Sequence, residues 1–196
     1  MNTNKPKLII LCAPSGSGKS TVAKDYLAQN PSTVYLCPDS MRGCLTGDES
    51  RQDVNSSVFH FITQMCRYFM YLKKDILIDA THCNKRWRKD WIRFAKEHHY
   101  EIIALTFETT LAEALVRNEG RDRRVPIEVI TRQFDNFQKP ELEEGFDKIV
   151  NSDDYMREII YDDLAPFLEQ AAIDTFKELD SEENQQKGYY RAELGL

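Results

Sequence analysis

The sequence predicts an α/β protein built on a parallel sheet of four to five strands flanked by helices. Residues 7–12 (KLIILC) form a continuous apolar run rather than an alternating one, as a strand buried on both faces reads. The run passes through a glycine-rich turn into an amphipathic stretch over 19–29, and that strand, turn and helix order opens a parallel unit. Short apolar runs then recur at 33–37, 76–78 and 102–107, with a weaker one at 148–150, each separated from the next by a helical pattern.

The intervening helices are expected over 54–72, 85–98, 111–118, 126–137 and 155–170. With 196 residues, of which 41% are hydrophobic, the chain holds one well-cored domain and not two. Residues 1–170 are read as that domain and 171–196 as an acidic tail, because from Asp174 the pattern dissolves into charged and amide residues (ELDSEENQQKG). The net charge of −6 hides an asymmetry. Lys and Arg outnumber Asp and Glu 21 to 16 in residues 1–139 but are outnumbered 5 to 16 in residues 140–196, so the acidic load lies at the C-terminal end. The apolar run at 8–13 is too short for a signal-peptide core or a membrane span, which predicts a soluble, cytoplasmic protein without membrane partners. Cys12, Cys37, Cys44, Cys66 and Cys83 form no CxxC pair and read as buried free thiols. The sequence does not fix an oligomeric state.

Ala13-Pro-Ser-Gly-Ser-Gly-Lys-Ser20 stands where the first strand meets the first helix, the setting in which a Walker A phosphate loop works. Glycines let successive backbone N–H groups converge on a phosphate, the helix N-terminus adds positive potential, Lys19 reaches the β- and γ-phosphates, and the Ser20 hydroxyl ligates Mg²⁺. Ala13 replaces the first glycine of the pattern at a position that needs a small residue. The expected donor-binding set is Ala13, Ser15, Gly16, Ser17, Gly18, Lys19, Ser20 and Thr21, for ATP or another nucleoside triphosphate.

Asp39 and Arg42 follow the second strand, where carboxyl ends of parallel strands face the ligand crevice. A carboxylate there accepts the proton of an attacking hydroxyl, and an arginine one helical turn on holds an anionic part of the acceptor; the competing reading is Asp39 as a helix cap. Asp79 ends the third strand in the position from which Mg²⁺ is oriented. Thr81 and Asn84 are assigned to the turn and the next helix start. Arg117, Arg121, Arg123 and Arg124 crowd eight residues between two helical patterns and read as an arginine-bearing lid over about 117–126, closing on the triphosphate to neutralise charge. A basic run, Lys85, Arg86, Arg88, Lys89, Arg93 and Lys96, carries Trp87 and Trp91 four apart. Here the tryptophans are expected to dock the helix and the cations to face water, with contact to single-stranded nucleic acid as the alternative. His60, His82, His98 and His99 lack metal-ligand spacing.

Taken together, the phosphate loop, Asp39-x-x-Arg42, Asp79-x-Thr81, Arg117-Asn-x-x-Arg121 and the Arg-Val-Pro-x-x-Val-Ile segment at 124–130 resemble the kinase domain of bacteriophage polynucleotide kinases and their bacterial AAA-type P-loop relatives, over about residues 8–150. The resemblance implies a P-loop kinase using ATP and Mg²⁺. It implies Asp39 as general base, Arg42 as acceptor-phosphate contact, and Arg121 beside Lys19 as the catalytic cations, with Arg117 also on the donor. Acceptors vary within this group; the basic balance of residues 1–139, Arg42 and the basic run 85–96 make the 5′-hydroxyl of a DNA or RNA end the expected one. Two alternatives remain: a kinase for a modified base or small molecule, and a nucleotide-binding switch without an acceptor. No Asp-x-Asp cluster is present for an accompanying phosphatase.

Overall fold

A computed structural model describes residues 5–155. Five strands, β1 (Lys7–Cys12), β2 (Val34–Leu36), β3 (Ile76–Ile78), β4 (Glu101–Thr106) and β5 (Lys148–Asn151), form one sheet in the order β2-β3-β1-β4-β5. Every pairing is parallel, as the unbroken apolar runs require. β1 lies at the centre, with Leu8, Ile9, Ile10, Leu11 and Cys12 all buried. Leu8, Ile10 and Cys12 join a core with Ile76, Ile78, Ile102 and Ala104, closed by Val58, Ile62, Cys66 and Met70 of one helix and by Trp91, Ile92, Phe94 and Ala95 of another. Each such aliphatic side chain contributes about 1.5–3 kcal/mol of burial relative to exposure.

Six α-helices connect the strands: α1 (Lys19–Gln29), α2 (Pro38–Thr46), α3 (Asn55–Tyr71), α4 (Lys85–Glu97), α5 (Leu111–Glu119) and α6 (Ile127–Asp135). Their ends are written locally. Pro38 at the first turn starts α2 and Gly47, at φ +75°, stops it. Asn84 caps α4 by accepting from Trp87 N at 3.1 Å, and Thr110 with Glu113 forms a reciprocal capping box on α5. Most boundaries fall within two residues of the sequence expectation. The exception is α2, foreseen only as the short helix behind the capping reading of Asp39. The expected helix 155–170 beyond its first residue, and the tail 171–196, lie outside the described residues. Among those described, no helix is long and apolar enough to cross a membrane.

The basic run differs from expectation. The buried stripe of α4 runs through Arg88, Trp91, Ile92 and Ala95, so Trp91 docks while Trp87, one residue before that stripe, stays 55% exposed. Arg88 does not face water: it is fully buried. Its Nε and Nη2 donate to the two carboxylate oxygens of Glu144 at 2.8 and 2.6 Å, and Nη1 donates to the carbonyls of His82 and Gln138. The cation survives burial because its donors are satisfied on three sides. All five cysteines are free, and Cys12, Cys66 and Cys83 are buried as expected. Cys37 is half-buried and Cys44 exposed, because they sit at the start and on the outer face of α2 rather than in a strand interior.

Removing one partner of such a pair strands the other, which costs about 3–5 kcal/mol. Arg88→Ala is therefore expected to lower unfolding stability by about that amount in denaturant titration. A loss below about 1 kcal/mol would show that the pair is not held as described.

Candidate active site

The parallel register puts the carboxyl ends of β1, β2 and β3 at one edge of the sheet: β2 and β3 end side by side, with Ile78 opposite both Leu36 and Ile10, and β1 runs two residues further, to Cys12. Three chain segments therefore leave the sheet together, carrying the phosphate loop, Asp39 and Asp79. Ala13 is fully buried and its N–H donates to Thr81 O at 3.0 Å, which explains why a small residue serves there. Gly16 and Gly18 adopt φ +84° and +87°, a region L side chains rarely enter. At Gly16 the space is also closed, since a Cβ would lie 2.5 Å from Ala114 O of α5. Gly18 precedes α1 and its carbonyl accepts from Thr21 N and Val22 N at 3.1 and 3.2 Å, so the N–H groups of Lys19 and Ser20 come ahead of the first helical bond.

Lys19 is buried under the loop, its Nζ donating to Pro14 O at 2.6 Å. Burial pushes its ammonium down to about 8; the Asp79 charge opposes that shift and the Arg121 charge adds to it. Ser20 Oγ donates to Asp79 Oδ2 at 2.9 Å, and Tyr35 OH, from β2, donates to the same oxygen at 2.8 Å. Burial, followed by the Asp79 charge, pushes the Tyr35 phenol above its ordinary range, so it stays a donor. The Ser17 hydroxyl is buried without a hydrogen-bond partner, an open polar group inside the loop. Behind the loop, His82 Nδ1 donates to Leu11 O at 2.9 Å, and burial pushes the imidazole down to about 4, which makes it a neutral packing group.

Asp39 lies between two arginines, Nη2 of Arg42 and Nη2 of Arg123 each donating to one of its carboxylate oxygens. The two cations differ in exposure. Arg42 is 6% exposed at its side chain, whereas Arg123 is 40% exposed and Asp39 43%. Arg42 also donates through Nε to Glu49 O and through Nη1 to Asn55 Oδ1, both at 2.8 Å. Three of its nitrogens are thus committed inside the protein. The residue expected to hold the acceptor phosphate is turned inward, and Arg123 is the arginine that reaches Asp39 from the other side.

Arg117 sits on α5, with Nη1 donating to Thr109 Oγ1 at 3.3 Å beside the loop at Gly18. Arg121 and Arg124 lie in the exposed loop after α5. Asn118 ties that loop at its base, Nδ2 donating to Val125 O and Oδ1 accepting from Val125 N, both at 2.9 Å. Sequence reasoning did not single out Tyr35, Asn118, Asn55 or Gln133, whose Oε1 accepts from Ser15 N. Asn118 alone had a local signal, its place between two arginines.

Comparison with known proteins agrees with this fold. The chain belongs to the AAA domain family, which matches residues 8–140. It is 29% identical over 146 residues to the bifunctional polynucleotide kinase/RNA ligase of Autographa californica nuclear polyhedrosis virus, covering 68% of this chain and 21% of that protein. It is 26% identical over 148 residues to the L-seryl-tRNA(Sec) kinase of Methanococcus maripaludis, covering 71% of this chain and 56% of that one. The chain therefore spans from a fifth to just over half the length of these curated relatives. The fold is shared with a chain of the Pnkp1/Rnl/Hen1 RNA repair complex at a TM-score of 0.61 and 22% identity, covering 69% of this chain and 45% of that one.

Lys19 must be protonated to meet phosphate oxygens. Nucleotide affinity is therefore expected to be steady near neutrality and to fall as pH rises through about 8. Lys19→Arg, whose guanidinium stays charged, should bind more weakly yet lack that fall. Equilibrium binding from about pH 7 to about pH 9.5, above the last ionisation of the phosphate itself, checks this. A pH-independent wild type would contradict it.

Proposed function

We propose that the protein is an ATP-dependent kinase that transfers the γ-phosphate to the 5′-hydroxyl of a DNA or RNA end. The carrying observation is Asp39, a half-exposed carboxylate between Arg42 and Arg123 at the same edge of the sheet as the phosphate loop. A nucleotide-binding switch has no use for such a group. A kinase needs a carboxylate to take the acceptor proton and cations to hold the acceptor. The relatives named as a polynucleotide kinase/RNA ligase and as an L-seryl-tRNA(Sec) kinase support the kinase part of this reading, and the first of them its polynucleotide acceptor.

In this reading the backbone N–H groups of 16–20 and Lys19 hold the β- and γ-phosphates. Ser20 and Asp79 would hold Mg²⁺ through hydroxyl and carboxylate oxygens, the hard donor set that suits it, and the ion would supply positive charge against the donor phosphates. Arg42 fixes Asp39 from the buried side. The acceptor hydroxyl loses its proton to Asp39 as its oxygen bonds to the γ-phosphorus and the bond to the β–γ bridging oxygen breaks, releasing ADP. Arg121 faces the charge of the donor phosphates, and Arg117 extends the donor site along α5. Arg123 leaves Asp39 for the phosphate 3′ of the terminal nucleoside, fixing the hydroxyl in line. Residues 119–124, tied at 118 and 125, act as the lid. The domain is assigned to residues 1–170 with 171–196 as a tail, working in the cytoplasm.

The test is radiolabel transfer from ATP to a 5′-hydroxyl oligonucleotide, a 3′-nucleoside monophosphate, a free nucleoside and a sugar acid. The first two should be phosphorylated far better than the others. Arg123→Ala should raise KM for the two phosphate-bearing acceptors by about 10- to 100-fold, the scale of one charge-assisted hydrogen bond, while the nucleoside and ATP values stay put. Preference for the sugar acid or the free nucleoside would replace the polynucleotide reading with a small-molecule one.

A further inference from the structure

The phosphate loop is held from outside as well as from within. The backbone N–H of Ser15 donates to Gln133 Oε1 at 2.7 Å, across 118 positions of sequence. The carbonyl of the same peptide unit, Pro14 O, accepts from Lys19 Nζ at 2.6 Å. One peptide plane is thereby fixed at both polar atoms, by the donor lysine on one side and by α6 on the other. Gln133 is itself anchored, because Ile130, one turn earlier on the same face of α6, is fully buried. The next residues of the loop rest on the other neighbouring helix: Gly16 lies against Ala114 O, and Thr109 Oγ1, just ahead of α5, donates to Ser17 O at 3.4 Å. α5 and α6 are the two stems of the arginine loop, joined at its base by Asn118 and Val125.

We propose that Gln133 is a positioning residue of the donor site, which holds Ser15 N–H so that the first half of the phosphate loop is shaped before nucleotide arrives and is tied to a stem of the arginine loop. The inference rests on the reading of that loop as the donor site. Two glycines at positive φ leave the segment between Cys12 and Lys19 many alternative backbone shapes, and each alternative rotates peptide planes whose N–H groups must converge on phosphate. A bond that pins one plane removes those alternatives in advance, so less of the binding energy goes into ordering the loop. The amide suits the task because it is neutral. A carboxylate at the same place would accept the same N–H and set a like charge beside the triphosphate.

Two variants of the full chain separate the effects: Gln133→Met keeps length and packing but removes the acceptor, and Gln133→Glu keeps an acceptor but adds charge. Nucleotide affinity is read by calorimetry, the Ser15 amide by NMR hydrogen exchange, and the acceptor KM by steady-state transfer. Gln133→Met should bind ATP about tenfold more weakly and expose the Ser15 amide to faster exchange, with melting temperature, kcat and acceptor KM within about twofold of wild type. Gln133→Glu should recover slow exchange at Ser15 yet lose more affinity for ATP than for ADP. A Gln133→Met protein with wild-type ATP affinity overturns the proposal, as does one whose melting temperature drops and whose acceptor KM rises along with the loss of ATP binding. A Ser15 amide that loses protection when ATP binds to wild type also overturns it, since Gln133 would then be a stand-in displaced by phosphate. A wild type that binds no nucleotide defeats the donor-site reading itself and takes the inference with it, whereas an active wild type beside an unaffected variant defeats the inference alone.

Discussion

The parallel register that ends three strands at one edge of the sheet is the constraint on which the rest of the site depends. Because Ile78 of β3 lies opposite Ile10 of β1 and Leu36 of β2, the phosphate loop, Asp39 and Asp79 emerge along one edge without any of them having to search for the others. The side-chain bonds then work over short distances. Asp79 joins the strands by accepting from Ser20 and Tyr35 through one carboxylate oxygen, and β1 reaches the turn after β3 through Ala13 N–H and Thr81 O.

Arginine does four different jobs in this molecule, and burial separates them. Arg88 is a fully enclosed tie between α4 and Glu144, far in sequence from its partner and held by hydrogen bonds on every side. Arg42 is enclosed as well, but one of its nitrogens is aimed at Asp39, so it transmits the rigidity of the α2–α3 junction to that carboxylate. Arg117 belongs to a helix already seated on the phosphate loop. Arg123 comes from the loop closed by Asn118 and pairs with Asp39 from the solvent side, 40% exposed at its side chain. A cation buried with all donors used is costly to move, whereas one at the surface is not, which is why Arg42 and Arg123 act on the same carboxylate in different ways.

The sheet, its parallel sense and the phosphate loop were legible because they are written in contiguous residues: unbroken apolar runs, two glycines at fixed spacing, and capping residues at helix starts. Asp39 and Asp79 could be singled out because carboxyl ends of parallel strands face a common crevice, and the arginine cluster because four arginines crowd eight residues. What was not legible arises between distant segments. Nothing local marks the contact of Arg123 with Asp39, or that of Gln133 with Ser15 more than a hundred residues away, since both are set by how distant segments pack. The misreading of Arg88 has the same origin: its partner, Glu144, lies 56 positions away, so a basic helix in sequence looks uniformly solvated. Trp87 and Trp91 show the finer limit, as four residues of helix advance about 400° and leave one ring inside the buried stripe and the other beside it.

The central claim is that Asp39 takes the acceptor proton, and Asp39→Asn tests it most directly because the amide keeps an oxygen for Arg42 while losing the ability to accept a proton. The measurement is single-turnover transfer to a 5′-hydroxyl oligonucleotide, with ATP affinity determined on the same protein. Transfer should fall by about 10²- to 10⁴-fold, the contribution of a general base, with ATP affinity close to wild type. Transfer at the wild-type rate, or a loss of ATP affinity as large as the loss of transfer, would contradict the account and make Asp39 a structural or metal-side residue.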